Sequence, residues 1–201
     1  MSADKSSPIE QAYRKEFVAA LNLLAQACEV MIKRPGVDFK PVLVGGAAAE
    51  LMSGGMFTSG DFDFVTPWQE AFEEALIGLG FVRPILPGHI SRGLLHPPTQ
   101  TSVEVVGSRL MDGAADGRRT FEVRIGEGAV RVIAVEDLIA DRMAQYGESR
   151  RQRVELLQQA KVIFQLDGLA GQVDEEYLDR RIRHETANEF GLEDLKRALD
   201  D

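Results

Sequence analysis

The hydrophobic pattern of the chain divides into stretches of helical period and stretches of strand period. Phe17, Leu21, Leu24, Ala25, Cys28 and Met31 recur every three or four residues, so 8–33 is expected to be a packing helix. Pro8 suits its first turn and Arg34-Pro35-Gly36 breaks it, while residues 1–7 are polar and expected to fray. Residues 41–45 are nearly all apolar, as in a strand covered on both faces. A small-residue helix over Gly46 to Met52 ends at Ser53-Gly54-Gly55, and a strand of alternating character follows at Asp61-Phe62-Asp63-Phe64-Val65. Trp68, Phe72, Leu76 and Leu79 predict a helix over 67–79 with Pro67 at its start. Strands are expected at 81–86, 93–96 and 102–107, and a hairpin at 119–125 and 129–134 turning on Gly126-Glu127-Gly128. Beyond Val135 the pattern is helical, at 135–146, 149–166, 174–184 and 187–199. The sum is an α+β chain: a mixed sheet with helices packed on it over 1–134, then a helical C-terminal region over 135–201 packed on that core.

Composition narrows the class. With 201 residues, 44% hydrophobic and 27% charged, the chain is an ordinary globular protein large enough for a real core. No apolar run reaches the roughly 20 residues of a membrane span, and the start Met-Ser-Ala-Asp-Lys carries no signal-peptide pattern. A cytoplasmic location without membrane contact is expected. The single cysteine, Cys28, excludes an internal disulfide and a multi-cysteine zinc site and is expected in the core. A net charge of −9 argues against a broad nucleic-acid grip. Two local basic groups, Arg150-Arg151-Arg153 and Arg180-Arg181-Arg183-His184, read mainly as solvated helix faces.

The chemistry concentrates between Val44 and Val65. Alternate side chains of a strand share a face, so Asp61 and Asp63 point the same way. Two carboxylates so held repel unless a cation sits between them, and oxygen-only ligands suit Mg²⁺ or Mn²⁺. Gly45-Gly46 lets the backbone approach a phosphate, with the N–H groups of the following helix start aimed at it. A phosphate cradle beside metal-binding carboxylates is the equipment of phosphoryl or nucleotidyl transfer.

In this order, hydrophobic-Gly45-Gly46, short helix, Asp61-Phe62-Asp63-Phe64, the chain resembles the nucleotidyltransferase superfamily with its polymerase-beta-like fold. Within it the likeness is to small bacterial proteins grouped with AbiEii-type toxins. It spans roughly 40–165. Ser59, two places before Asp61, matches a small hydroxyl position linked to nucleotide binding. Glu104, within Ser102-Val103-Glu104-Val105-Val106, matches the family's third carboxylate; the residues alone leave open an outward, solvated glutamate. Val135-Glu136-Asp137-Leu138-Ile139-Ala140-Asp141-Arg142 matches an acidic helix start followed by a basic residue. The resemblance implies a Mg²⁺-dependent nucleotidyltransferase. Asp61, Asp63 and Glu104 would hold the metal, Gly45, Gly46 and Ser59 would contact the NTP, and Arg142 would neutralise developing charge unless it serves a salt bridge with Glu136 or Asp137. The acceptor would be an RNA end, a protein hydroxyl or a small molecule such as an aminoglycoside, and an antitoxin is an implied partner of a toxin–antitoxin system.

The chain also departs from the pattern. Phe57 stands where relatives often carry an arginine, and Arg151-Gln152-Arg153 is followed by Val154 where an aspartate is usual, with Glu155 one place off. Such changes are what loss of catalysis leaves, so a catalytically inactive binding or regulatory module of the same fold is the alternative. Other chemistry has less support. His89, His96 and His184 lack zinc spacing, no Gly-x-Ser-x-Gly elbow occurs, and Gly45-Gly46 belongs to no Walker or dinucleotide motif. His89 and His96 read as site-lining or as turn residues, and Trp68 as core or as a base-stacking platform.

Overall fold

The computed structural model describes residues 12–84 and 93–200. The expectations for residues 1–7 and for the Pro87-Gly88-His89 turn lie outside the described residues. The chain divides into two compact units, one formed by 1–47 with 58–132 and the other by 48–57 with 133–201.

The first unit carries one six-stranded sheet. Its strands are β1 (Val42–Val44), β2 (Asp61–Val65), β3 (Leu94–His96), β4 (Thr101–Gly107), β5 (Phe121–Ile125) and β6 (Gly128–Val132), in spatial order β3-β4-β2-β1-β6-β5. β2 runs parallel to β4 and β1 parallel to β6, whereas β1 with β2, β3 with β4 and β5 with β6 are antiparallel. The mixed sheet and the hairpin follow the hydrophobic pattern and the α+β class holds, but the strand expected at 81–86 is reduced to an isolated bridge of Val82 with Leu95, with 85–86 outside the described residues. Helices α1 (Lys15–Ile32) and α3 (Gln69–Gly78) pack beside it, with α2 (Gly45–Met52) following β1 directly.

One sheet face is aromatic. Phe17 of α1 stacks on Phe62 at 5.4 Å between ring centroids, and Phe64 meets Phe72 of α3 at 5.0 Å. Phe17, Phe62, Phe64 and Phe72 are all buried, as are Leu21, Leu24 and Met31 on the inner stripe of α1. Each such side chain contributes about 1.5–3 kcal/mol of burial, so Phe62 and Phe64 pin the register of β2. Because the strand period is two, that leaves Asp61 and Asp63 on the opposite face. Cys28 is fully buried, and desolvation pushes its thiol up to about 12, so it is inert packing.

The second unit is built around α4 (Val135–Glu148), α5 (Val154–Leu169), α6 (Glu175–Glu185) and α7 (Leu192–Asp200). At its centre Arg181 Nε donates to Asp137 Oδ1 at 2.5 Å, and the Tyr177 hydroxyl donates to the same carboxylate at 3.0 Å. Asp174 caps α6 by accepting from the Tyr177 N–H at 3.0 Å, and the Asp174 N–H in turn donates to Glu136 Oε1 at 2.9 Å.

Helix boundaries differ from the periodic pattern: the helix expected over 8–33 begins at Lys15 after the non-helical Tyr13 and Arg14, and that expected over 67–79 begins at Gln69. Residues 149–153 and 187–191 were expected to be helical but are turns. Arg150 and Arg151 take φ of 54° and 63°, and Ala187 and Asn188 take 49° and 65°. In each turn an N–H reaches five residues back, Arg151 to the Tyr146 carbonyl at 3.0 Å and Asn188 to the Arg183 carbonyl at 2.7 Å. That is the usual left-handed termination of a helix, here without the glycine that marks it in a sequence.

Candidate functional site

The geometry starts from Gly45. β1 ends at Val44, and Gly45 turns the chain into α2 with φ of +68°, a conformation that favours glycine. A Cβ at Gly45 would stand 2.5 Å from Asp63 Oδ2, so the backbone here lies directly against that carboxylate. A Cβ at Gly46 would stand 2.8 Å from Ser59 Oγ. The sequence suggested close approach to a phosphate; in the fold the neighbours of the two glycines are the Asp63 carboxylate and the Ser59 hydroxyl. Ala47, Ala48 and Ala49 follow, fully buried.

Asp63 occupies the middle of the sheet. It is the register partner of Val44 on β1 and of Glu104 on β4, while Asp61 pairs with Ser102. Register partners on adjacent strands share a face at the strand spacing of about 4.8 Å. Asp61, Asp63 and Glu104 therefore lie on one face, opposite Phe62, Phe64 and the buried Val103. Asp61 is exposed, and Asp63 and Glu104 are half-buried. Glu104 is the register partner of Asp63 and is half-exposed, so both the solvent-facing and the ligand readings of this glutamate stay open.

The loop before β2 is tied down twice. Ser59 Oγ donates to the Asp61 carbonyl at 2.9 Å, and the Arg14 guanidinium donates to the Ser59 carbonyl. Arg14 went unnoticed in the sequence. It lies 45 residues away in an unremarkable polar stretch, so no local signal marks it.

The donor chemistry fits a hard divalent cation, since all three acids offer oxygen and their backbone positions share one face. Among the described residues, however, no three His, Cys, Asp or Glu side chains converge closely enough to hold an ion.

The remaining candidates fall elsewhere. Arg142 belongs to the second unit, where it is buried and donates to Asp141 Oδ2 at 2.7 Å and to Gln159 Oε1 at 3.5 Å, with its Nε buried and unpartnered. Its ion pair is thus with Asp141, not with Glu136 or Asp137; Asp137 is engaged by Arg181. His96 closes β3 with Nδ1 2.7 Å from Thr99 Oγ1 and its ring 5.1 Å from Phe81. His184 is exposed beside Glu185. His89 lies outside the described residues. No described helix is long and apolar enough to cross a membrane.

Among solved structures, the chain is similar to an antigenic nucleotidyltransferase-like protein from Paracoccidioides brasiliensis. The TM-score is 0.58 over 92% of each chain, with 16% of residues identical. The fold is nucleotidyltransferase-like. No protein-family model matches the chain, and no curated protein does. At this identity the likeness establishes the architecture, and the chemistry rests on the residues themselves.

Proposed function

We propose that the protein is a Mg²⁺-dependent nucleotidyltransferase that moves a nucleoside monophosphate from an NTP to an acceptor hydroxyl. The observation that carries this reading is the pairing of Asp63 with Glu104 across parallel strands while Gly45 packs against the Asp63 carboxylate. What supports the reading is that Asp63 and Glu104 are register partners, that Asp61 stands two residues along on the same face, and that the helix start at Gly45 adjoins Asp63. Asp61, Asp63 and Glu104 are the residues to hold Mg²⁺ (or Mn²⁺), which when bound supplies charge neutralisation for the triphosphate. Gly45 and Gly46 present backbone N–H groups to its phosphates, and Ser59 flanks them. In the reaction the acceptor oxygen bonds to the α-phosphorus and the α–β anhydride bond breaks. Pyrophosphate leaves with the electron pair, and the hydroxyl proton passes to solvent.

Arg142 is assigned the neutralising role only on the motif likeness. The same likeness supports a bacterial toxin–antitoxin pair with an antitoxin partner, and the sequence pattern read above is the ground for a cytoplasmic setting. Against catalysis stand Phe57 at the arginine position and Val154 in place of the aspartate, which favour a catalytically inactive module.

Calorimetric titration of ATP, GTP, CTP and UTP, with and without Mg²⁺, separates the two. Metal-dependent binding by the native chain, lost in the Asp61→Asn/Asp63→Asn variant, is the expected result. A folded native protein that binds no nucleotide rejects the enzyme and leaves the module.

A further inference from the structure

The two edges of the sheet are treated differently. On the β3 side the outer edge is occupied, because Val82 bridges to Leu95 with N–H···O=C bonds of 2.8 and 2.9 Å in the two directions. On the other side β5 pairs with β6 along one edge, and among the described residues no strand lies beyond it. Phe121-Glu122-Val123-Arg124-Ile125 lacks the usual means of blunting such an edge. It has no proline, its register with β6 runs without a bulge, and its two charges are of opposite sign. Phe121 is 38% exposed, and Glu122 and Arg124 are exposed with it.

The turn fixes which backbone groups are free. Gly126 and Glu127 are the central residues of the β5–β6 hairpin, and Gly126 takes φ of +55°, the first-position glycine of a type II′ turn. Such a turn closes on a hydrogen-bonded pair of flanking residues, here Ile125 and Gly128. Bonded and non-bonded pairs then alternate along an antiparallel ladder, so Val123 and Phe121 also bond to β6. Glu122 and Arg124 turn their N–H and C=O groups to the free edge.

We propose that this edge pairs antiparallel with the same edge of a second copy of the chain, about a twofold axis through Val123. The strand is complementary to itself in that register. Glu122 meets Arg124 of the second copy, and Arg124 meets Glu122 of the second copy. These are the residues whose backbone groups face outward, so the main-chain bonds and two opposite-charge pairs form together. The charge demand matches as well. Lys40 Nζ is shared between Glu29 at 2.8 Å and Glu122 at 3.4 Å, so two carboxylates hold one ammonium and the incoming guanidinium supplies a second cation. Arg124 itself holds no ion pair among the described residues. A partner strand of one charge sign would meet its own sign at Glu122 or at Arg124; a second copy meets the opposite sign at both. Five residues a side make a contact well below the roughly 1,600 Å² of a standard interface, so the pair is a weak dimer with a dissociation constant of about micromolar order.

Sedimentation velocity on the full-length chain over about 1–200 µM tests this. A concentration-dependent monomer–dimer equilibrium is expected, weakened about tenfold by Arg124→Glu, which sets like charges opposite one another at both ends of the pair. Glu122→Arg should weaken it similarly. An equimolar mixture of these two variants should associate again, because each presents the charge the other lacks, and circular dichroism checks that both are folded. Arg124→Pro is an independent probe: the N–H it removes is not bonded to β6, so the monomer keeps its fold while the outward donor is lost. Amide exchange at Glu122 and Arg124 should slow as concentration rises, while that at Val123 should not change. A native chain that stays monomeric over the whole range overturns the proposal. So does a dimer that neither charge variant weakens, or a mixture of the two variants that associates no better than each alone.

Discussion

Gly45 and Asp63 are in contact across the β1–β2 pair, with the glycine's missing Cβ leaving the space that Asp63 Oδ2 fills. Gly45→Ala would place a methyl 2.5 Å from that oxygen on a backbone at φ +68°, adding a clash to a conformational cost of about 1–2 kcal/mol. The variant is expected to lose about 2 kcal/mol of stability in urea unfolding. On the proposed nucleotidyltransferase reading, nucleotide affinity should fall further than the stability loss explains, because Asp63 must move.

Gly46 behaves differently. Its φ is not left-handed, so alanine there gains about 1 kcal/mol of helix propensity. The new methyl would meet Ser59 Oγ at 2.8 Å, but the hydroxyl can rotate away at the cost of its bond to the Asp61 carbonyl, about 0.5–1.5 kcal/mol. These terms nearly cancel, so Gly46→Ala should be neutral within about 0.5 kcal/mol. In a Ser59→Ala background the clash is gone, and the same change should stabilise by about 1 kcal/mol. A double-mutant cycle by chemical denaturation measures the difference.

Asp137 and Arg181 are 1% and 3% exposed, and each is the other's main charge partner in the second unit. Removing one member leaves a buried unpaired charge at a cost of about 3–5 kcal/mol. Asp137→Leu alone and Arg181→Met alone should therefore both unfold far earlier in urea than the parent. The double variant is expected to recover part of the loss, because neither member is left buried without the other, while the Tyr177 hydroxyl and Glu185 each still lose a partner.

Asp167 on α5 has a buried Oδ2 without a hydrogen-bond partner. Desolvation raises its pKa above the ordinary carboxylate value, and the nearby Glu136 charge adds to the shift. The folded protein therefore takes up this proton more readily than the unfolded chain. Its contribution to stability improves as pH falls from neutral through the raised value, then levels off below the ordinary carboxylate range. Thermal unfolding as a function of pH should show this rise, and Asp167→Asn should flatten it while raising the midpoint at pH 7.

Periodicity was enough for the sheet and its helices because burial acts on local pattern. Phe62 and Phe64 must face α1 and α3, and a strand period of two then sends Asp61 and Asp63 to the other side with no further information. The need for glycine at Gly45 has a physical reason in the fold, φ +68° with a carboxylate oxygen at the place of its Cβ, although the sequence alone pointed to a phosphate there. Where the physics is not local, the pattern fell short. The left-handed helix ends at Arg150-Arg151 and Ala187-Asn188 carry no glycine, so their stop signal lies in backbone bonds that form only in the folded chain. Arg14 reaches the Ser59 carbonyl, and Glu104 takes its place beside Asp63, through pairings between segments more than 40 residues apart. Trp68 looked like core because its spacing fits the helix that follows, yet it stands just before that helix, its N–H donated to Thr66 Oγ1, and is 38% exposed. Sequence determined which face each strand buries. Tertiary structure decided which acids are neighbours, because strand order and register are set by long-range pairing that no local pattern encodes.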